Sequence, residues 1–171
     1  MDRPSDLVLL ASVLQEADDG AGDEIGLMLH TELRRWVYEQ SPRNAVTFAS
    51  TGGDGVHFSL LDAGTGISND SPVVMTVPMA DQPNRVVGAN LRQFLALGRH
   101  SGFFILEQLQ YGFAEMVEEL ESHRWEQDLS PVGRALLKRM ADEFALVTWC
   151  DYGEELLALE RTFADQFDIG D

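Results

Sequence analysis

The order of patterns along this chain predicts an α+β domain. Apolar residues recur at helical spacing towards both ends, while the middle alternates in strand fashion around glycine-rich turns. Runs of helix and runs of strand kept apart along a chain belong to that class. The 171 residues, 44% of them hydrophobic, fit one domain with a core that needs neither disulfides nor metals. The expected organisation is a single domain, 1–171, with N-terminal helices over 1–40, a sheet core over 44–98 and an acidic helical part over 101–171.

Ser5 is the candidate cap of a first helix that carries Leu7, Leu10, Val13 and Leu14 on one face. The break Asp18-Asp19-Gly20-Ala21-Gly22 leads to a second helix expected from about Asp23. In it Ile25, Met28, Leu29, Leu33, Trp36 and Val37 recur at helical spacing, and Ser41-Pro42 ends it. Val46 and Phe48 then alternate with Ala45, Thr47 and Ala49. After Thr51-Gly52-Gly53-Asp54-Gly55, Val56, Phe58 and Leu60 alternate with His57 and Ser59, which predicts a β-hairpin with one polar, half-exposed face. The loop from Asp62 to Asp70 precedes an apolar strand, Val73–Val77, closed by Pro78, and a short fourth strand is expected at Arg85-Val86-Val87.

Asn90 is a good N-cap for a helix with Leu91, Phe94, Leu95 and Leu97, stopped at Gly98. Leu106, Leu109, Phe113, Met116 and Leu120 predict the clearest helix, opposite Glu107, Glu115, Glu118, Glu119 and Glu121. Ser130-Pro131 pairs a cap with an N1 proline ahead of Val132, Leu136, Met140, Phe144 and Val147. Asp151 and Glu154 have the spacing of a capping box before Leu156, Leu159, Phe163 and Phe167.

Charge is the most unusual property: 29 acidic residues against 12 basic ones, net −17. Residues 1–106 hold 13 acidic and 7 basic residues, whereas the shorter 107–171 holds 16 and 5, net −11. Such a surface repels phosphates and anionic lipids and speeds association with cationic partners. Direct nucleic-acid binding is disfavoured again by the basic residues, which include one lysine, Lys138, and no cluster beyond Arg34-Arg35 and Lys138-Arg139. No membrane role is expected, because no apolar run approaches the ~18–20 residues that cross a bilayer. The start, Met1 to Asp6, lacks the basic beginning of a secretory signal, and Cys150 stands alone, so a cytoplasmic protein is expected.

The nearest approach to a catalytic set is Asp54, His57 and Ser59. Positions i and i+2 on a flat strand seldom let an imidazole reach a hydroxyl proton, so the polar side of a hairpin accounts for them better. The glycine turns lack the Lys-Ser/Thr of a phosphate cradle and the third glycine of a dinucleotide fingerprint. The acidic loops 18–24 and 62–70 hold oxygens but not the spacing of an EF-hand, so loop polarity explains them. His30, His57, His100 and His123 are scattered, and Cys150 has acidic or apolar neighbours and is expected to serve packing. Neither a metal nor a cofactor is expected.

Asn44 to Leu61, the apolar strand at Pro72–Val77, and Val86-Val87-Gly88-Ala89-Asn90-Leu91-Arg92-Gln93-Phe94-Leu95-Ala96-Leu97-Gly98 together resemble the SMI1/KNR4 (SUKH) superfamily. The likeness spans about a third of the chain. The family's Leu-Pro-x-x-Tyr/Phe segment is replaced by Leu33–Gln40 and Ser41-Pro42, and the two C-terminal helices lie outside the comparison. The resemblance implies an α+β fold with a central, mostly antiparallel sheet flanked by helices, extended here by additional C-terminal helices. It also implies a binding role, because many bacterial members resemble immunity proteins that neutralise polymorphic toxins, often nucleases, and others resemble regulators. The family has no uniform catalytic motif to carry over.

The leading expectation is therefore a non-enzymatic binding module that meets a basic protein, such as a toxin domain. Glu115, Glu118, Glu119, Glu126, Asp128, Asp151, Glu154 and Glu155 are the candidate contact residues. One alternative is a small hydrolase or ligand-binding enzyme using Asp54 and His57. Another is a structural subunit that forms a homodimer through surplus apolar helix faces.

Overall fold

The alternating segments of the middle pair into a meander. In the computed structural model, which describes residues 3–35 and 37–170, the strands are β1 (Met28–Arg35), β2 (Ala45–Ser50), β3 (His57–Leu61), β4 (Val73–Thr76) and β5 (Asn84–Gly88). They lie in the order β1-β2-β3-β4-β5, and every neighbouring pair is antiparallel. The turn between β2 and β3 needs left-handed residues, which Gly52 (φ 84°), Asp54 (φ 49°) and Gly55 (φ 72°) supply. The helices are α1 (Ser5–Gln15), α2 (Ala21–Glu24), α3 (Leu91–Leu97), α4 (Phe113–Glu121), α5 (Pro131–Glu143) and α6 (Tyr152–Phe163), joined in part by 3-10 turns at Phe104–Gln110, Arg124–Asp128 and Ala164–Gln166. The α+β class and the antiparallel sheet flanked by helices are as expected.

The main core lies between the sheet and α3. Phe58 of β3 meets Phe94 of α3 with ring centroids 4.7 Å apart, Phe94 meets Phe103 at 4.9 Å, and Phe48 of β2 approaches Phe94 edge-on. Aromatic groups in tilted and edge contacts bury much area and hold a defined geometry. Arg92 ties α1 to this layer: its Nε and Nη2 each donate to the Asp6 carboxylate at 2.8 Å, and Nη1 donates to Phe144 O at 3.0 Å.

Every residue of β3 and β4 is buried, so the sheet is covered on both faces. The second face carries the row Ser50, His57, Thr76 and Asn84, aligned across four strands. The β1–β2 connection folds back over that row. Ser41 Oγ lies 2.8 Å from His57 Nε2, and Gln40 O accepts from Asn84 Nδ2 at 2.8 Å. The half-exposed polar hairpin face expected from alternation is therefore buried under the chain's own connection. Residues 166–168 are joined to the start of β2, where Asn44 Nδ2 donates to Gln166 O and Asp168 N donates to Asn44 Oδ1.

The second N-terminal helix is the largest correction within 1–40. Helix α2 stops at Glu24, and 28–35 forms an edge strand. Gly26 enforces the change: its φ is 69°, and an added Cβ would lie 2.7 Å from the Phe104 backbone nitrogen. Ile25 and Leu27 on either side are buried, while Met28 is exposed, so pairing with β2 overrides the helical spacing. Trp36, part of the expected stripe, lies outside the described residues.

Smaller corrections concern boundaries. The helix expected from Leu106 to Leu120 is broken at Tyr111-Gly112 into a 3-10 turn and α4, though Leu106, Leu109, Met116 and Leu120 all remain buried. Helix α5 ends at Glu143, and Ala145 turns left-handed (φ 47°), which leaves Val147 exposed. Helix α6 ends at Phe163, before Phe167. Pro4 occupies the N-cap of α1 while Ser5 is its first helical residue, its hydroxyl engaged by Asn69 Nδ2 at 2.7 Å. No helix among the described residues is long and apolar enough to cross a membrane.

Candidate functional site

The eight acidic residues expected to form a contact face divide into two groups once their partners are known. Glu119 accepts from Trp125 Nε1 at 2.8 Å and from Arg124 Nη1 at 2.9 Å. Glu126 meets His100 Nδ1 at 3.2 Å, and Glu154 accepts from Arg161 at 2.8 Å. Asp151 Oδ1 caps α6 by accepting from Glu154 N at 2.8 Å. The reciprocal half of that cap belongs to Glu155 and not to Glu154: Glu155 Oε1 accepts from Cys150 N at 2.9 Å and Asp151 N at 3.4 Å. Glu121 adds a third carboxylate there by accepting from Tyr152 N. Anionic groups at a helix N-terminus complement its dipole, so this part of the acidity stabilises α6.

Glu115, Glu118 and Asp128 are different. All three are exposed, and among the described residues none has an ion pair or a side-chain hydrogen bond. Glu115 and Glu118 lie on α4, and Asp128 ends the 3-10 turn that packs against α4. The α4 surface is amphipathic, with Met116, Val117 and Leu120 buried, so its carboxylates face outward.

Beside them lies a groove of about 330 Å³ lined by Ile105, Gln108, Glu115, Met116, Glu119 and Trp125. It joins an apolar floor to a carboxylate rim. Tyr111, at 57% exposure, and Phe104, at 53%, lie at or beside the two ends of the adjoining 3-10 turn. Aromatic residues at such exposure are common in the centres of protein interfaces.

Asp54, His57 and Ser59 are not brought together as a reactive set. His57 is 1% exposed, its Nδ1 donates to Gly55 O at 2.7 Å, and its Nε2 is therefore the acceptor for the Ser41 hydroxyl. Ser41, 2% exposed, also accepts from Tyr38 N, and the Tyr38 ring stacks on the imidazole. Asp54 is exposed in the turn, and Ser59 bonds to Thr47 at 2.9 Å. The arrangement can hold a connection against a sheet; Ser41 and Ser59 are both buried, while Asp54, Tyr38 and His57 line part of an open pocket of about 290 Å³. Burial holds the His57 pKa below its ordinary value; the Gly55 carbonyl opposes this, and His30 adds to it.

In the loop 62–70, Asp62 Oδ1 accepts from Gly64 N and Gly66 N while Oδ2 meets Arg35, so this carboxylate organises its own turn. Cys150 is exposed, which corrects its expected packing role. In the loop 18–24, the left-handed Gly20 at the N-cap of α2 makes the turn.

The histidines are less scattered than their spacing indicates. His100 follows α3, His123 follows α4, and their rings stack with centroids 3.9 Å apart and planes within 12°. Glu126 completes a cluster in which one ligand atom of each residue lies within 4.8 Å of the others. No sequence signal marks this pair, because 23 positions separate the two residues and the fold alone joins them.

No protein-family model matches the chain, and no curated protein matches it.

Proposed function

We propose that this chain is a protein-binding module whose α4 face receives a basic protein partner. The observation that carries the reading is the set Glu115, Glu118 and Asp128, exposed and without side-chain partners among the described residues, with Glu115 lining the groove floored by Met116 and Trp125. Carboxylates already engaged within the chain have less to offer a partner, whereas these three pair without breaking an internal contact. The net charge of −11 after Leu106 repels itself, and a cationic surface relieves that repulsion while steering encounter. Met116 and Trp125 in the groove, with exposed Tyr111 next to Gly112 of its lining, supply the apolar contact that charge alone lacks.

The resemblance to the SUKH superfamily narrows the partner class. It supports an immunity protein that neutralises a basic, nuclease-type toxin, or a regulator of similar architecture. The test is a pull-down with the full chain as bait at low and moderate salt. The expected outcome is retention of a basic protein, weakened by salt and abolished by Glu115→Lys, Glu118→Lys and Asp128→Lys together. Retention indifferent to those reversals would overturn the reading.

A further inference from the structure

We propose that His100, His123 and Glu126 form a binding site for a late first-row divalent metal ion, with Zn²⁺ as the best fit. This rests on the side-chain cluster and is independent of the partner reading above.

The donor set is two imidazoles and one carboxylate, a combination that Zn²⁺ accepts in four-coordinate sites with the last position left to water or another ligand. The three donor atoms lie within 4.8 Å of one another. A tetrahedral ion with bonds of roughly 2.0–2.2 Å needs them roughly 3.3 Å apart, so no pair has to close by more than about 1.5 Å. That closure is available locally. Stacked rings present parallel lone pairs, and a turn about each ring's terminal torsion, which is broad and soft, makes them converge. Glu126 is exposed and His100 and His123 are partly so, hence the side chains have room to turn.

Two further observations favour a site over an accidental contact. His123 holds a left-handed backbone (φ 52°) just past the C-cap of α4, and its ring stacks on His100 from there. A cavity of about 260 Å³ opens at His100 and Glu126, so an ion has a path in. Arg99, Arg134 and Lys138 line that cavity. Their charge opposes a bare cation, so the ion is expected to be held with an anionic fourth ligand, a hydroxide or a carboxylate, and not neutral water. The bound ion would tie the segment that follows α3 to the start and the middle of the turn that carries Trp125.

The test is a calorimetric titration of Zn²⁺ into tag-free, chelator-stripped full-length chain, paired with NMR of the histidine side chains. One equivalent is expected to bind, moving the imidazole resonances of His100 and His123 and leaving those of His30 and His57 in place. His123→Asn, which tolerates the left-handed backbone, and Glu126→Gln should each weaken binding about tenfold or more, while Cys150→Ser should leave it unchanged. Absence of a saturable equivalent overturns the proposal. So does binding that survives both ligand substitutions, follows Cys150, or is matched by Mg²⁺. The imidazole shifts are read on unaltered protein, so misfolding of a variant leaves that readout intact.

Discussion

Ser41 Oγ lies 2.8 Å from the Nε2 atom of His57, with both residues buried and the other imidazole nitrogen held by Gly55 O. This contact fastens the β1–β2 connection to the sheet's second face. It gives both residues a structural role, since each is almost wholly buried.

Ser41→Ala removes that contact and leaves the buried His57 Nε2 and the partly buried Tyr38 N without that partner. The expected loss is about 1–3 kcal/mol of stability, the range for orphaning a buried polar group. Urea denaturation monitored by circular dichroism checks it. A midpoint equal to that of the unaltered chain would show that the hydroxyl does not hold the connection.

The same histidine sets a pH dependence. Burial depresses the His57 pKa below its ordinary 6.5, so the unfolded chain binds the proton more readily than the folded one. Its contribution to stability is complete above about 6.5 and declines as pH falls from there towards the folded value. The melting temperature is expected to drop between neutral pH and pH ~5, with the His57→Gln variant showing a shallower slope over that range. An identical slope in both proteins would remove His57 as the cause.

Asp6 acts at lower pH. The Arg92 hydrogen bonds, as the largest influence, hold the Asp6 carboxyl below its ordinary 3.8, against a smaller opposing effect of burial. The stabilisation is present above that value and is lost as pH falls through the folded pKa. Because the Arg92 side chain is 49% exposed, Asp6→Ala is expected to cost only about 1–2 kcal/mol at neutral pH. Chemical denaturation of the two proteins at neutral pH and in acid should show the difference shrinking in acid.

Asp151 separates structural acidity from contact acidity. Its Oδ1 caps α6, so Asp151→Ala should lower stability by about 1 kcal/mol. Glu118→Ala, on the exposed side of α4, should lie within about 0.5 kcal/mol of the unaltered chain. Thermal melts of the two variants decide this, and equal effects would contradict the division of the acidic residues into two groups.

Much of the fold is legible in the residues. Alternation in Ala45–Ser50 and His57–Leu61 marks a hairpin that forms, and Asn90, Ser130 and Asp151 are N-caps whose side chains accept the backbone bonds expected of them. What misleads is local spacing where a distant contact decides. Ile25, Met28, Leu29 and Leu33 imitate a helix, yet Gly26 must pass the Phe104 backbone and the following residues gain a ladder with β2. The acidic face is legible as charge but not as partners: spacing alone does not tell that Glu155 accepts from Cys150 N and Asp151 N, or that Glu118 has no side-chain partner among the described residues. The His100–His123 stack is invisible to any local pattern, since it exists only where the fold brings the segments after α3 and α4 together.

The measurement that bears most directly on the binding face is the dissociation constant for the basic protein retained by this chain, compared between two triple variants of equal charge change. One carries Glu115→Lys, Glu118→Lys and Asp128→Lys; the other carries Asp18→Lys, Asp19→Lys and Glu32→Lys on exposed positions elsewhere. The α4 triple is expected to weaken binding by about tenfold or more, and the remote triple by far less, as local pairing exceeds long-range steering. Equal weakening by both would show that only net charge matters and would contradict a binding face on α4.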